Sequence, residues 1–131
     1  MKGYLLDTDI VVFFLRNIKE ITEHLSSIDP KDVYVSEVTV AELEYGCRCS
    51  GKYEENAQLL DRFLSLVNVV PFSDAISLYA KERHRLRVQG LRIEDFDLLI
   101  GCTSVAKGLL MITNNVKHYY RIEGIQIENW L

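Results

Sequence analysis

Met1-Lys2-Gly3-Tyr4-Leu5-Leu6-Asp7-Thr8-Asp9 opens the chain with a short apolar run that ends on a carboxylate. A helical pattern follows at once. Val11, Phe14, Leu15, Ile18, Ile21 and Leu25 recur at three-to-four spacing and predict a helix to about Ser26. The opening therefore reads as a strand that hands over to a helix with an acid at the junction. In open parallel α/β sheets, chemistry sits just beyond the carboxyl ends of the strands. That makes Asp7 a candidate catalytic or metal-binding position, with capping of the following helix as its structural alternative.

The same alternation runs outward along the chain. Asp29-Pro30-Lys31-Asp32 is a turn, Val33-Tyr34-Val35 a strand, and Ser36 the cap of a helix to about Cys49. Gly51 breaks the pattern before a helix over roughly Glu54 to Leu66. Val67 to Val70 reads as a buried strand stopped by Pro71, with Ser73 or Asp74 capping a helix that ends at Gly90. A further helix runs from about Asp95 to Lys107 and closes at Gly108. Leu109 to Ile112 has the unbroken apolar character of a central parallel strand. A helical turn at Val116 to Tyr120 and a strand at Ile125 to Glu128 finish the chain. Strand and helix in alternation predict a three-layer α/β domain, with a mostly parallel central sheet and helices on both faces.

Composition bounds the possibilities. The 131 residues suit one domain, 1–131, and 48% hydrophobic with 26% charged residues is ordinary for a globular chain. No apolar run approaches the length of a membrane span, and the N-terminus lacks a signal-peptide pattern. Three cysteines, Cys47, Cys49 and Cys102, show no zinc-type pairing with His24, His84 or His118, which predicts reduced thiols in the cytoplasm. A net charge of -4 carries no general nucleic-acid footprint.

Four positions fall where such a sheet would gather them. Asp7 ends the first strand, Glu42 lies in the helix after the second, Asp97 opens the helix before the fourth, and Thr113-Asn114-Asn115 leaves the fourth strand. Two or three carboxylates around an open site suit a hard divalent cation, which prefers oxygen ligands. Each residue also has a plainer role: Glu42 as a surface acid, Asp97 as a dipole-favoured acid in a first turn, Asn115 as a strand-exit residue. Glu44 stands about 200° around the helix from Glu42, so only one of the two can face the centre. Asp95 is the expected N-cap, leaving Asp97 free.

Taken together, Leu5-Leu6-Asp7-Thr8-Asp9, Val40-Ala41-Glu42-Leu43-Glu44-Tyr45-Gly46, Asp95-Phe96-Asp97-Leu98-Leu99-Ile100 and Ile112-Thr113-Asn114-Asn115 stand in the order found in PIN-domain ribonucleases, and the chain resembles that family throughout its length. The ending, Glu123 to Leu131, is similar to that of VapC-type toxins. The resemblance implies a PIN-like fold and a metal-dependent endoribonuclease, the toxin of a type II toxin–antitoxin pair. It implies Asp7, Glu42 and Asp97 as ligands of Mg²⁺, with Mn²⁺ as the alternative ion. Thr113 and Asn115 would line the fourth corner, Asn115 with a catalytic part and Asp95 as a further acid nearby. It also implies a VapB-type antitoxin partner and a homodimer. Many relatives carry an additional acid in or after the Thr-x-Asn segment, where this chain has Asn115 and His118. His118 is left with three roles: phosphate contact, proton shuttle or structure.

Lys81, Arg83, Arg85, Arg87 and Arg92 crowd into twelve residues before Asp97. They read as a solvated helix face or as a rim that grips RNA phosphates or an acidic antitoxin segment. Three other readings start from the same residues. Asp7-Thr8-Asp9 also resembles the nucleophile loop of haloacid-dehalogenase-type phosphohydrolases, but the Asp95/Asp97 pair precedes Thr113 instead of following it. A PIN nuclease of RNA processing, or a PIN binding module with a degraded site, completes the set.

Overall fold

The computed structural model describes residues 3–131, so Met1 and Lys2 of the opening stretch lie outside the described residues. Five strands, β1 (Tyr4–Leu6), β2 (Val33–Ser36), β3 (Asn68–Val70), β4 (Leu110–Ile112) and β5 (Ile127–Glu128), form one sheet in the order β3-β2-β1-β4-β5. Every pairing is parallel. β1 is central: the chain builds outward from it to β3, then crosses back and builds the other half. The crevice at such a reversal is where open α/β sheets bind ligands.

Helices cover both faces. They are α1 (Thr8–Leu15), α2 (Lys19–Ser26), α3 (Glu37–Cys49), α4 (Tyr53–Leu64), α5 (Ile76–Val88), α6 (Asp95–Lys107) and the short α7 (Val116–Tyr119). The two faces can be read from the strands themselves, because neighbouring side chains in a strand point oppositely. Leu5 and Met111 enter a core with Leu86, Leu98, Ile100 and Ile122 from the α5–α6 side. Leu6, Val33, Val35 and Ile112 enter the other, with Ile10, Ile21, Leu43, Leu60 and Phe63. The expected three-layer architecture is the observed one.

Four local expectations are corrected. The first helix is two, because Asn17 takes the left-handed conformation (φ 60°) and Ile18 is extended; the apolar spacing carried across this break conceals it. β3 is an edge strand, so Asn68 and Val69 are exposed and only Val70 is buried. Neither Ser73 nor Asp74 caps α5: a 3-10 turn over Phe72–Ala75 feeds directly into it, and Glu37 Oε1 accepts from Phe72 N at 3.0 Å. Asp95 is the first residue of α6, and its N-cap is Glu94, which makes no side-chain capping bond.

Other local signals match the structure. Gly90 and Gly108 stop α5 and α6 with φ of 73° and 65°, values that L side chains rarely adopt. Trp130 is buried, stacks on His24 at 4.7 Å and donates Nε1–H to Glu128 at 2.7 Å, tying down the C-terminus. All three cysteines are free, Cys47 and Cys102 buried and Cys49 exposed. No helix among the described residues is long and apolar enough to cross a membrane.

Candidate active site

Parallel register brings the strand ends together. Leu6 pairs with Ile112, so the next residues, Asp7 and Thr113, leave adjacent strands side by side. Asp7 is buried and is the N-cap of α1, its Oδ1 accepting from Thr8 N at 2.8 Å. Capping does not exhaust it. Thr113 Oγ1 donates to Oδ2 at 2.7 Å, and the Tyr119 hydroxyl donates to Oδ1 at 3.1 Å. Burial and the neighbouring Asp9 charge push its carboxyl up to about 7, against the opposing pull of its hydrogen bonds. An acid this strongly perturbed at a sheet switch point is a candidate functional centre as well as a cap.

Glu42 joins through Thr8. The Thr8 hydroxyl donates to Glu42 Oε1 at 2.6 Å and stands 3.0 Å from the buried Thr39 Oγ1. Glu42 is half-buried and Glu44 exposed, as the helical angle between them requires.

Asp97 arrives from the first turn of α6. Burial, and then the charge of Glu94, raise its pKa, while the nearby Tyr119 hydroxyl and the charge of His118 draw it back. Tyr119, wholly buried, thus donates to Asp7 and stands near Asp97. Its ring fits because residue 101 is glycine: a Cβ there would come within 3.0 Å of Tyr119 Cδ1 and closer still to Ile122. Asn115 N–H donates to Thr113 Oγ1 at 2.9 Å, and Asn115 Nδ2 meets His118 Nδ1 at 2.9 Å. Tyr119 and Thr8 escape the sequence reading. A Tyr beside another Tyr carries no local sign that one is buried on a carboxylate.

Four sequence-distant segments therefore meet at the carboxyl edge of β1 and β4. Residues 4–124 match the PIN domain. A "Ribonuclease VapC2" of Rickettsia felis is 35% identical over 130 residues, covering 97% of both chains. This chain belongs to the VapC-type ribonucleases of the PIN-domain family. A "tRNA(fMet)-specific endonuclease VapC" of Shigella flexneri is 28% identical over 131 residues and 99% of both chains. The crystal structure of VapBC2 from Rickettsia felis, bound to a DNA fragment from the promoter, superposes with a TM-score of 0.90 at 32% identity over 98% of both chains.

PIN-domain nucleases generally use divalent metal ions, and the donors here suit one: they are oxygens, held at a sheet edge. Asp9 supplies the most direct indication, since its Oδ1 is buried with no hydrogen-bond partner. Among the described residues no three His, Cys, Asp or Glu side chains converge on one point as they stand. Asp7, Asp9 and Asp97 act on one another through their charges, and Glu42 is engaged by Thr8.

The VapC-type fold sorts the basic cluster. Arg85 does not belong to an exposed rim: its Nε and Nη2 grip the buried Glu82 at 2.9 and 2.7 Å, and Nη2 also donates to Arg121 O at 2.8 Å. Glu82 Oε1 accepts from Glu123 N at 2.9 Å, so this pair pins the turn that follows Tyr119. Arg83 and Arg87, one helical turn apart, line a cavity of about 300 Å³ with Arg92 and Asp95. Asp95 is taken up by α5: it accepts from Tyr79 at 3.0 Å and pairs with Arg83 at 3.6 Å.

Proposed function

We propose that this protein is the toxin of a VapBC-type pair, a divalent-cation-dependent endoribonuclease of the cytoplasm whose cation is held by Asp7, Glu42 and Asp97. Mg²⁺ is the first choice and Mn²⁺ the alternative, both accepting oxygen donors. The observation that carries the reading is the Asp7 carboxylate, ending the central strand and shared by Thr113 and Tyr119 with Asp97 beside it. When bound, such a cation supplies the Lewis acidity that activates a water and offsets charge on a phosphoryl oxygen.

The chain's own groups do the rest. Thr113 and Tyr119 fix the Asp7 rotamer, and Thr8 fixes Glu42. Asn115, oriented by His118, presents an amide beside the centre as a partner for substrate oxygens. Arg83, Arg87 and Arg92 offer the polyanion a grip one helix away from Asp97, which makes RNA binding fall with salt. The Shigella relative is named for tRNA(fMet), which makes tRNA the first substrate to try.

Relatives solved as VapBC complexes support an antitoxin partner. An apolar trough of about 490 Å³ between α1, α2 and α4, lined by Phe14, Leu25, Leu59, Phe63 and Leu66, suits the apolar face of an antitoxin segment. Phe72 and Ile76, 44% and 47% exposed on neighbouring turns, offer apolar surface to a second copy in a homodimer.

The test is cleavage of labelled total RNA by antitoxin-free protein in Mg²⁺, Mn²⁺ and EDTA, with Asp97→Asn alongside. Discrete fragments that need metal and vanish in the variant are expected. Well-folded protein that cuts nothing in either metal refutes the nuclease reading and favours a binding module.

A further inference from the structure

Asp9 sits in the first turn of α1, two residues beyond Asp7, a place where an acid is ordinarily favoured by the helix dipole and left in water. Here the residue is half-buried. Its Oδ1 is buried with no partner, and its Oδ2 accepts a long bond, 3.3 Å, from Asn114 N. A buried carboxylate oxygen without a donor is costly and is kept where something else satisfies it. Thr22 Oγ1 is the other orphaned buried side-chain atom among the described residues, and it is a neutral hydroxyl on α2.

The surroundings say what would satisfy Asp9. Its neighbours in charge are Asp7 and Asp97, both acids. The donor from outside α1 comes from the Thr113–Asn115 exit, the segment that also holds Asp7. No Lys, Arg or His pairs with it among the described residues. An oxygen in that position, facing acids and lacking a hydrogen donor, calls for a cation.

We infer that Asp9 is a fourth carboxylate of the cation site, its orphaned Oδ1 the donor atom. The inference rests on the divalent-cation reading above. It supplies, from the α1 side, an acid at the sheet edge where the β4 exit, Thr113 to His118, carries none. Asn114 becomes a positioning residue, its backbone N–H holding the other Asp9 oxygen and leaving Oδ1 free.

The experiment is Mn²⁺ binding to the purified full-length chain without RNA, followed by calorimetry, for wild type, Asp9→Asn and Asp97→Asn. Melting of each protein in EDTA accompanies it. Asp9→Asn is expected to weaken Mn²⁺ at least tenfold while melting in EDTA at or above the wild-type temperature, because an unpaired buried charge has been removed. An Asp9→Asn affinity within twofold of wild type, with Asp97→Asn weakened, overturns the Asp9 assignment and leaves the cation reading standing. Wild-type protein that binds neither Mn²⁺ nor Mg²⁺ overturns both. An Asp9→Asn variant that melts several degrees lower in EDTA marks a structural acid and also overturns the assignment; Asp9→Ser, shorter and neutral, checks that the amide itself is not the cause.

Discussion

Replacing Arg85 with Ala separates an internal clamp from a surface cation. The guanidinium makes two charge-assisted bonds to Glu82, at 2.9 and 2.7 Å, and a third to Arg121 O at 2.8 Å. Glu82 is 1% exposed, so the variant strands a charge in the core with only Glu123 N–H to satisfy it. Breaking such a pair costs about 3–5 kcal/mol, whereas an exposed arginine–carboxylate pair is worth about 0–1 kcal/mol. At about 2.1 cal/mol/K of unfolding entropy per residue, 131 residues convert that loss into a melting point lower by roughly 11–18 °C.

The pH dependence gives a second check. Arg85, first, and then the Glu123 N–H hold the Glu82 carboxyl below its usual range against desolvation. In the wild type this contribution is full above about pH 4.3, the ordinary glutamate value, and is lost as pH falls through the lower folded value. Without Arg85, burial dominates and Glu82 resists ionisation, so acid relieves the variant. Its deficit in urea denaturation is therefore largest near pH 7.5 and shrinks toward pH 4.5. Pairing Arg85→Met with Glu82→Leu should recover most of the loss. A deficit below about 1 kcal/mol, equal at both pH values, would be the behaviour of an exposed pair and would refute the clamp.

Two further outcomes follow from the site. In EDTA, Asp7→Asn should stabilise the fold by about 1–3 kcal/mol at pH 8 and by little at pH 4. The folded acid, raised to about 7, costs stability as pH climbs past its unfolded value, and Asn still caps α1. Urea denaturation at the two pH values decides it, and a loss at pH 8 contradicts the charge-crowding argument. For RNA binding, Arg87→Gln combined with Arg92→Gln, in an Asp97→Asn background, should flatten the slope of log K against log salt by about 0.7 for each phosphate no longer neutralised. Lys81→Gln, outside that cavity, should leave the slope unchanged; equal effects from all three would make the cations a diffuse field.

The strand-and-helix alternation is legible because it is written in local signals. Leu109–Ile112 is apolar enough for a doubly covered strand, and Gly90 and Gly108 stand where their helices must turn with positive φ. Asp7, Glu42, Asp97, Thr113 and Asn115 are all visible as candidates from their motifs. The break at Asn17 is not, since Ile18 and Ile21 continue the helical spacing across a residue that has left the helix. Nor is the burial of Glu82, flanked by Lys81 and Arg83 in a run that looks wholly solvated.

By itself, the sequence determined the layered α/β order, the acid at the end of the first strand and the family to which the chain belongs. These depend on periodicity, on chain-reversing glycines and on motif order, all properties of neighbours along the chain. Tertiary structure alone decided which of like residues do what: Arg85 turned onto the buried Glu82 and Arg87 on a cavity, Asp95 drawn to α5 and Asp97 to the neighbourhood of Tyr119, Asp9 half-buried with one buried oxygen to spare. Those roles are set by partners brought close through space, from as far as the 112 residues of chain that separate Tyr119 from Asp7. Local composition does not encode that proximity. Folding of the sheet creates it.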